Sequence, residues 1–119
     1  MHTDKQYPHQ GDIHWVELGE AKGFEEAGTR PCIIISGDDV NKWCNVVMVV
    51  PLTSNMKHRT LGTHVPFIFR YPKQSLALCE HTRSVDRSRI GDKIGYVPRT
   101  TLRLILSVCK DYILRERGL

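Results

Sequence analysis

Two short apolar runs, RPCIIIS (30–36) and CNVVMVVPL (44–52), lie only one turn-forming segment apart. Each is too short for a buried helix and rich in β-branched residues, so each reads as a strand buried on both faces. Pro31 and Pro51 lack the N–H that a ladder needs. They therefore belong at a strand end, an edge or a bulge. Between the runs, GDDVNKW (37–43) carries Gly37, Asp38, Asp39 and Asn41 and reads as a turn. Central strands require neighbours, and the chain supplies them. DIHWVEL (12–18) alternates Ile13 and Trp15 inward against His14 and Glu17 outward. HVPFIF (64–69) and SLALCE (75–80) are two more strands around a RYPKQ turn. TRSVD (82–86) is a short strand leading into RSRIGDKIG, which reads as a tight turn or a single helical turn.

The last segment changes period. From Pro98 onward, Leu102, Ile105, Leu106, Cys109, Tyr112 and Ile113 recur at helical spacing and form one stripe. Pro98 suits a first turn, Arg115 and Arg117 suit the negative end of a helix, and Gly118 suits its stop. The expectation is a mainly β fold. It is a small, strongly bent sheet or barrel of about five to seven short strands with a C-terminal α-helix.

One core accommodates 119 residues, and no linker divides them. Residues 1–10, MHTDKQYPHQ, read as a polar, disordered leader before a single domain over 11–119. The leader lacks the apolar stretch of a signal peptide, and no run approaches the length of a membrane span. Lys and Arg number 17 against 13 Asp and Glu, a net charge of +4 that permits a polyanionic partner without demanding one. The four cysteines, Cys32, Cys44, Cys79 and Cys109, form no CxxC pair and read as small buried hydrophobes in a reducing cytosol. His14 and His64 read as surface strand residues, with no metal site implied. There is no Gly-rich phosphate loop, HExxH or GxSxG, which argues against nucleotide-driven and zinc-hydrolase chemistry.

Polar residues at strand ends remain. Arg30 opens one central strand and Thr53 follows the other. Glu25 lies in the Gly-rich loop GEAKGFEEAG, and Glu80 with His81 closes the SLALC strand. Guanidinium, hydroxyl and carboxylate together suit a phosphodiester. The first binds two phosphate oxygens, the second donates to developing charge, and the third moves a proton. Each residue also has a plainer reading: an ion pair for Arg30, a turn hydroxyl for Thr53, a solvated loop for Glu25 and a strand-end imidazole for His81. Lys57, His58, Arg59, Arg83, Arg87 and Arg89 are cations suited to tracking a nucleic-acid backbone or to a solvated face. Phe24 and Trp43 are candidate stacking platforms for splayed bases, or packing residues.

Four stretches in order resemble one family. GDIHWVEL is similar to the opening RGDIwxvdL of MazF/PemK/Kid toxins, and GFEEAGTRPCIIIS to GxExxGxRPvlVis. VVMVVPLTS resembles vvvaplTs, and SLALCEHTRSVDRSRIGDKIGYV resembles SxvlxeqirtvDksRlxxxiGxl. The resemblance covers about residues 11–114. It implies a CcdB-type, SH3-like barrel, a homodimer in the cytoplasm, and metal-independent, cofactor-free endoribonuclease cleavage of single-stranded RNA at short sequences. Cleavage by the 2′-hydroxyl would leave a 2′,3′-cyclic phosphate and a 5′-hydroxyl. The toxin would stop translation and growth, and an acidic MazE-like antitoxin would fill its RNA groove. The motifs place Arg30 and Thr53 at the cleavage site, with Glu25 and Glu80 as further candidates. Phe24 and Leu78 stand where Kid-like members carry histidine and arginine, so members lacking those groups match better. Two alternatives keep the fold and change the activity: a CcdB-like gyrase poison, or a non-catalytic SH3-like interaction module.

Overall fold

A computed structural model describes residues 7–20, 22–23, 27–70 and 73–114. Among the described residues, seven strands and two α-helices run β1 (Asp12–Glu17), β2 (Thr29–Ile34), α1 (Asp38–Trp43), β3 (Val46–Thr53), β4 (His64–Arg70), β5 (Lys73–Leu78), β6 (Arg83–Asp86), β7 (Ile90–Tyr96) and α2 (Arg99–Leu114). Single 3-10 turns, Cys79–His81 and Arg87–Arg89, precede β6 and β7. The strands make one curled antiparallel sheet in the order β4-β5-β3-β2-β1-β7, with β6 also on β3. The expected class, a bent sheet closed by a C-terminal helix, is what forms.

β3 organises the sheet because it serves different partners along its length. On one edge it pairs with β2, Cys32 opposite Pro51 and Ile34 opposite Val49. On the other, Val46–Val49 pair with β6, and Leu52 and Thr53 pair with β5. From Val49 to Leu52 the β3 backbone advances three residues, while its partner goes from Arg83 back to Ala77. The turn Cys79–His81 takes up the difference. Pro51 sits in that interval, where β3 changes partner and a missing N–H breaks no ladder bond. Pro31 lies just before β2 begins to pair with β3 at Cys32.

The alternating pleat sends apolar side chains to both faces, which is why the two central runs are continuous rather than alternating. One cluster gathers Ile13, Ile33, Ile35, Val50, Leu52, Val65, Phe67 and Ala77 beneath Ile105 and Cys109 of α2. The other gathers Val16, Leu18, Cys32, Ile34, Val47, Val49 and Val85. The α2 stripe is used only in part: Ile105 and Cys109 are buried, whereas Tyr112, Ile113 and Leu114 are exposed. The residues expected to end this helix, Arg115, Arg117 and Gly118, lie outside the described residues. No helix among the described residues is long and apolar enough to cross a membrane.

Several local expectations need correction, among them Trp15, expected inward but exposed. GDDVNKW is the helix α1 and not an open turn. Asp38 and Asp39 suit its first turn, and Asn41 is fully buried, its Nδ2 donating to Pro8 O (3.0 Å) and Ser36 O (2.9 Å). RSRIGDKIG holds a 3-10 turn and then most of β7, a full strand paired with β1 through two register shifts. Its weak alternation hid it, because β7 is stabilised by its partner rather than by its own pattern. Of the leader read as disordered through residue 10, residues 7–10 are described. The Gln10 N–H donates to Asp38 (2.7 Å), and Gln10 Nε2 donates to Ile35 O (2.8 Å).

β7 also passes close to the β4 side of the core. A Cβ added to Gly95 would lie 2.5 Å from Phe69 Cε1. Gly95→Ala is therefore expected to cost about 1–3 kcal/mol, because the partly buried Phe69 ring must leave its packed position. Urea denaturation checks it; an unchanged midpoint would show that the ring yields freely.

Candidate functional site

The paired stretch of β2 and β3 ends at Cys32 and Pro51. Two residues further along each strand stand Arg30 and Thr53. Side chains two apart share a face, and directly opposed residues of an antiparallel pair share a face. Arg30 and Thr53 thus occupy the two lips of the same strand mouth, on the face that carries Cys32 and Val49. Arg83 pairs with Val49 across the other edge of β3, so it belongs to that face as well. Arg30 is half-buried, pairs with Val16 of β1, and donates from Nε to Ala27 O at 3.0 Å. Thr53 Oγ1 accepts from the Asn55 N–H at 3.1 Å, which leaves its own O–H proton to donate.

The base of the 18–28 loop is tied just before Arg30. Leu18 N donates to Gly28 O and Gly28 N to Gly19 O, and Gly28 takes a positive φ that favours glycine as the chain turns into β2. The Thr29 hydroxyl and the Gly19 N–H both donate to Glu17 at 2.7 Å. The Thr29 bond, then the Gly19 bond, with Arg89 adding attraction, hold the Glu17 carboxyl below its ordinary value of 4.5 against a small opposing effect of burial. A lowered folded value means this contribution is complete above pH 4.5 and is lost as pH falls through the lower folded value. The melting-temperature gap between wild type and Glu17→Gln should accordingly be widest near neutrality and close in acid. A gap independent of pH would contradict the assignment.

Glu80 and His81 share the turn Cys79–His81, on the edge of β3 opposite β2. Glu80 is engaged there: its Oε2 lies 2.6 Å from His64 Nε2, while His64 Nδ1 lies 2.9 Å from His58 O. A carbonyl only accepts, so His64 Nδ1 carries a proton. The contact between Nε2 and Oε2 then holds one proton, whichever atom bears it. The His64 side chain is 8% exposed and that of Glu80 22%, and Glu80 Oε1 is buried with no partner. His64, read from sequence as a surface residue, is in fact the buried clamp of Glu80 and of the 54–63 loop. Its signal lay sixteen residues from its partner and needed the β4–β5 pairing, His64 opposite Leu78, to be seen.

The remaining candidates separate. Arg83 Nη1 donates to Leu18 O (3.0 Å) and Arg87 Nη1 to Asn41 O (2.8 Å), so both brace backbone as well as carrying charge. Lys57, His58 and Arg59 are exposed on the 54–63 loop. Trp43, at 73% exposure, presents its ring to solvent at the end of α1, with the Lys42 ammonium 5.3 Å from the ring centroid. Phe24 and Glu25 lie outside the described residues.

With this geometry in place, likeness to known proteins is informative. The frame is a small curled antiparallel sheet with a terminal helix, bearing arginine and threonine at one strand mouth. The profile described as PemK-like, MazF-like toxin of type II toxin-antitoxin system matches residues 9–112, and the chain belongs to that family. The Endoribonuclease MazF of Staphylococcus saprophyticus is 31% identical over 91 residues, covering 74% of this chain and 76% of that protein. MazF from Deinococcus radiodurans superposes with a TM-score of 0.79 at 23% identity, covering 92% of this chain and 98% of that one. An endoribonuclease from a mycobacterial species, solved with its cognate antitoxin, gives 0.75 at 22% identity, covering 93% and 99%. At those identities the structural likeness concerns the fold.

Proposed function

We propose that this chain is the endoribonuclease toxin of a toxin–antitoxin pair, cutting single-stranded RNA at short sequences without a metal and so arresting translation. The observation that carries this reading is the register of β2 and β3. Continued two residues past its last pair, Cys32 with Pro51, that register carries Arg30 and Thr53 to one face, shared by Arg83, which supports the reading. The RNA's own 2′-oxygen attacks the adjacent phosphorus and the bond to the 5′-oxygen breaks. The products are a 2′,3′-cyclic phosphate and a 5′-hydroxyl. Arg30 neutralises charge on the non-bridging oxygens. An arginine pKa above about 12 makes it an electrostatic clamp and not an acid. Thr53 donates to the same phosphate. A carboxylate accepts the 2′-hydroxyl proton, and His81 returns a proton to the leaving oxygen.

Glu25 and Glu80 are the candidate acceptors. Glu80 reaches a substrate only if its turn shifts, since Oε2 meets His64 and Oε1 is buried. Comparing Glu25→Gln with Glu80→Gln separates the two. Lys57, Arg59, Arg83 and Arg87 hold the RNA backbone, and Phe24 and Trp43 stack bases. The active form is a cytoplasmic homodimer, and an acidic antitoxin segment occupies the same basic groove. The antitoxin complex of the mycobacterial relative supports that partner class.

Purified protein incubated with a long single-stranded RNA and EDTA tests the reading. It expects discrete cuts at a recurring short sequence, each leaving cyclic-phosphate and 5′-hydroxyl ends. Intact RNA would return the chain to a binding role on the same fold.

A further inference from the structure

Two of the four cysteines meet where β5 ends against α2. Cys79, fully buried, opens the turn that carries Glu80 and His81. Its Sγ lies 4.0 Å from Ile105 O, the carbonyl one helical turn before Cys109. Cys109 is itself nearly buried, at 4% exposure. Thr82 spans the pair: its hydroxyl donates to Cys79 O (2.7 Å) and lies 3.4 Å from Cys109 Sγ. Both cysteines belong to the same buried cluster. Cys32 belongs to the opposite cluster and Cys44 is exposed, so neither competes for this position.

We propose that Cys79 and Cys109 are an oxidation site, converted by a hydroperoxide into a disulfide that fastens the Glu80–His81 turn to α2. Isolated buried cysteines are ordinarily inert hydrophobes. Here two cysteines instead share one cluster, and the Thr82 hydroxyl reaches both residues. The Cys79 thiol, with help from Thr82, outweighs burial and holds Cys109 below the ordinary thiol value, while Cys79 is pushed up. The Cys109 thiolate attacks one peroxide oxygen, the O–O bond breaks, and hydroxide leaves, giving a sulfenic acid. The Cys79 sulfur then attacks the Cys109 sulfur, the S–O bond breaks, and the departing oxygen leaves as water with the Cys79 proton. With hydrogen peroxide as the oxidant, two thiols and one peroxide become one disulfide and two waters. The link would tie the turn bearing Glu80 to the terminal helix, so the oxidation state would reach the candidate site.

Full-length protein carrying Cys44→Ser, which removes the exposed thiol, is treated with hydrogen peroxide, alkylated under denaturing conditions and digested without reductant. The expected result is a cross-linked peptide pair containing Cys79 and Cys109, lighter by two hydrogens and released by dithiothreitol. The oxidised form should melt higher by on the order of 10 °C, and reduction should reverse the rise. Recovery of both cysteines alkylated overturns the proposal, as does Cys109 appearing as a sulfinic acid beside alkylated Cys79. An oxidised form that melts no higher overturns the fastening.

Discussion

Arg30→Ala should lower the single-turnover rate of RNA cleavage by about 100- to 1,000-fold, the usual consequence of losing one preorganised donor to a developing oxyanion. The guanidinium is half-buried at the β2 mouth and braced by the bond from Nε to Ala27 O. Arg30→Lys should fall between the two, since an ammonium keeps the charge and loses the two-point geometry. The melting temperature should change little beside so large a kinetic loss. An alanine variant within tenfold of wild type would remove Arg30 from the chemistry.

His64→Ala should cost about 3 kcal/mol of stability. Oε1 of Glu80 is already buried without a partner, and the substitution would strip Oε2 as well. It would also free the 54–63 loop, which His64 Nδ1 holds through His58 O. The loss should shrink when the carboxyl is removed too. In a cycle of His64→Ala, Glu80→Ala and the double variant, the double should cost clearly less than the two singles combined. Strict additivity would mean the two side chains do not act as a pair.

Much of the frame is legible in the sequence, because burial on both faces forces continuous apolar strands. Ile33–Ile35 and Val46–Val50 announced themselves that way, as did the helical period from Leu102 to Cys109. Arg30 and Thr53 were legible as residues at strand ends. Their sharing of one face follows from a register that no single segment encodes. The turn bearing Glu80 reads as the end of a strand because the apolar run 76–79 continues into it. What bends it is the change of partner along β3. α1 was missed because its stability comes from Asn41 reaching Pro8 and Ser36, contacts outside the heptapeptide itself. His64 was misplaced for the same physical reason: a histidine beside exposed loop residues looks solvated until the hairpin brings a carboxyl to it.

The central claim is that Arg30 and Thr53 grip one phosphate across the β2–β3 mouth. Single-turnover cleavage of one RNA by Arg30→Ala, Thr53→Ala and the double variant tests it directly. Two groups acting on the same phosphate as a unit should give a double variant little worse than Arg30→Ala alone. Losses that multiply in full, or a Thr53→Ala enzyme that cuts as fast as wild type, would contradict it.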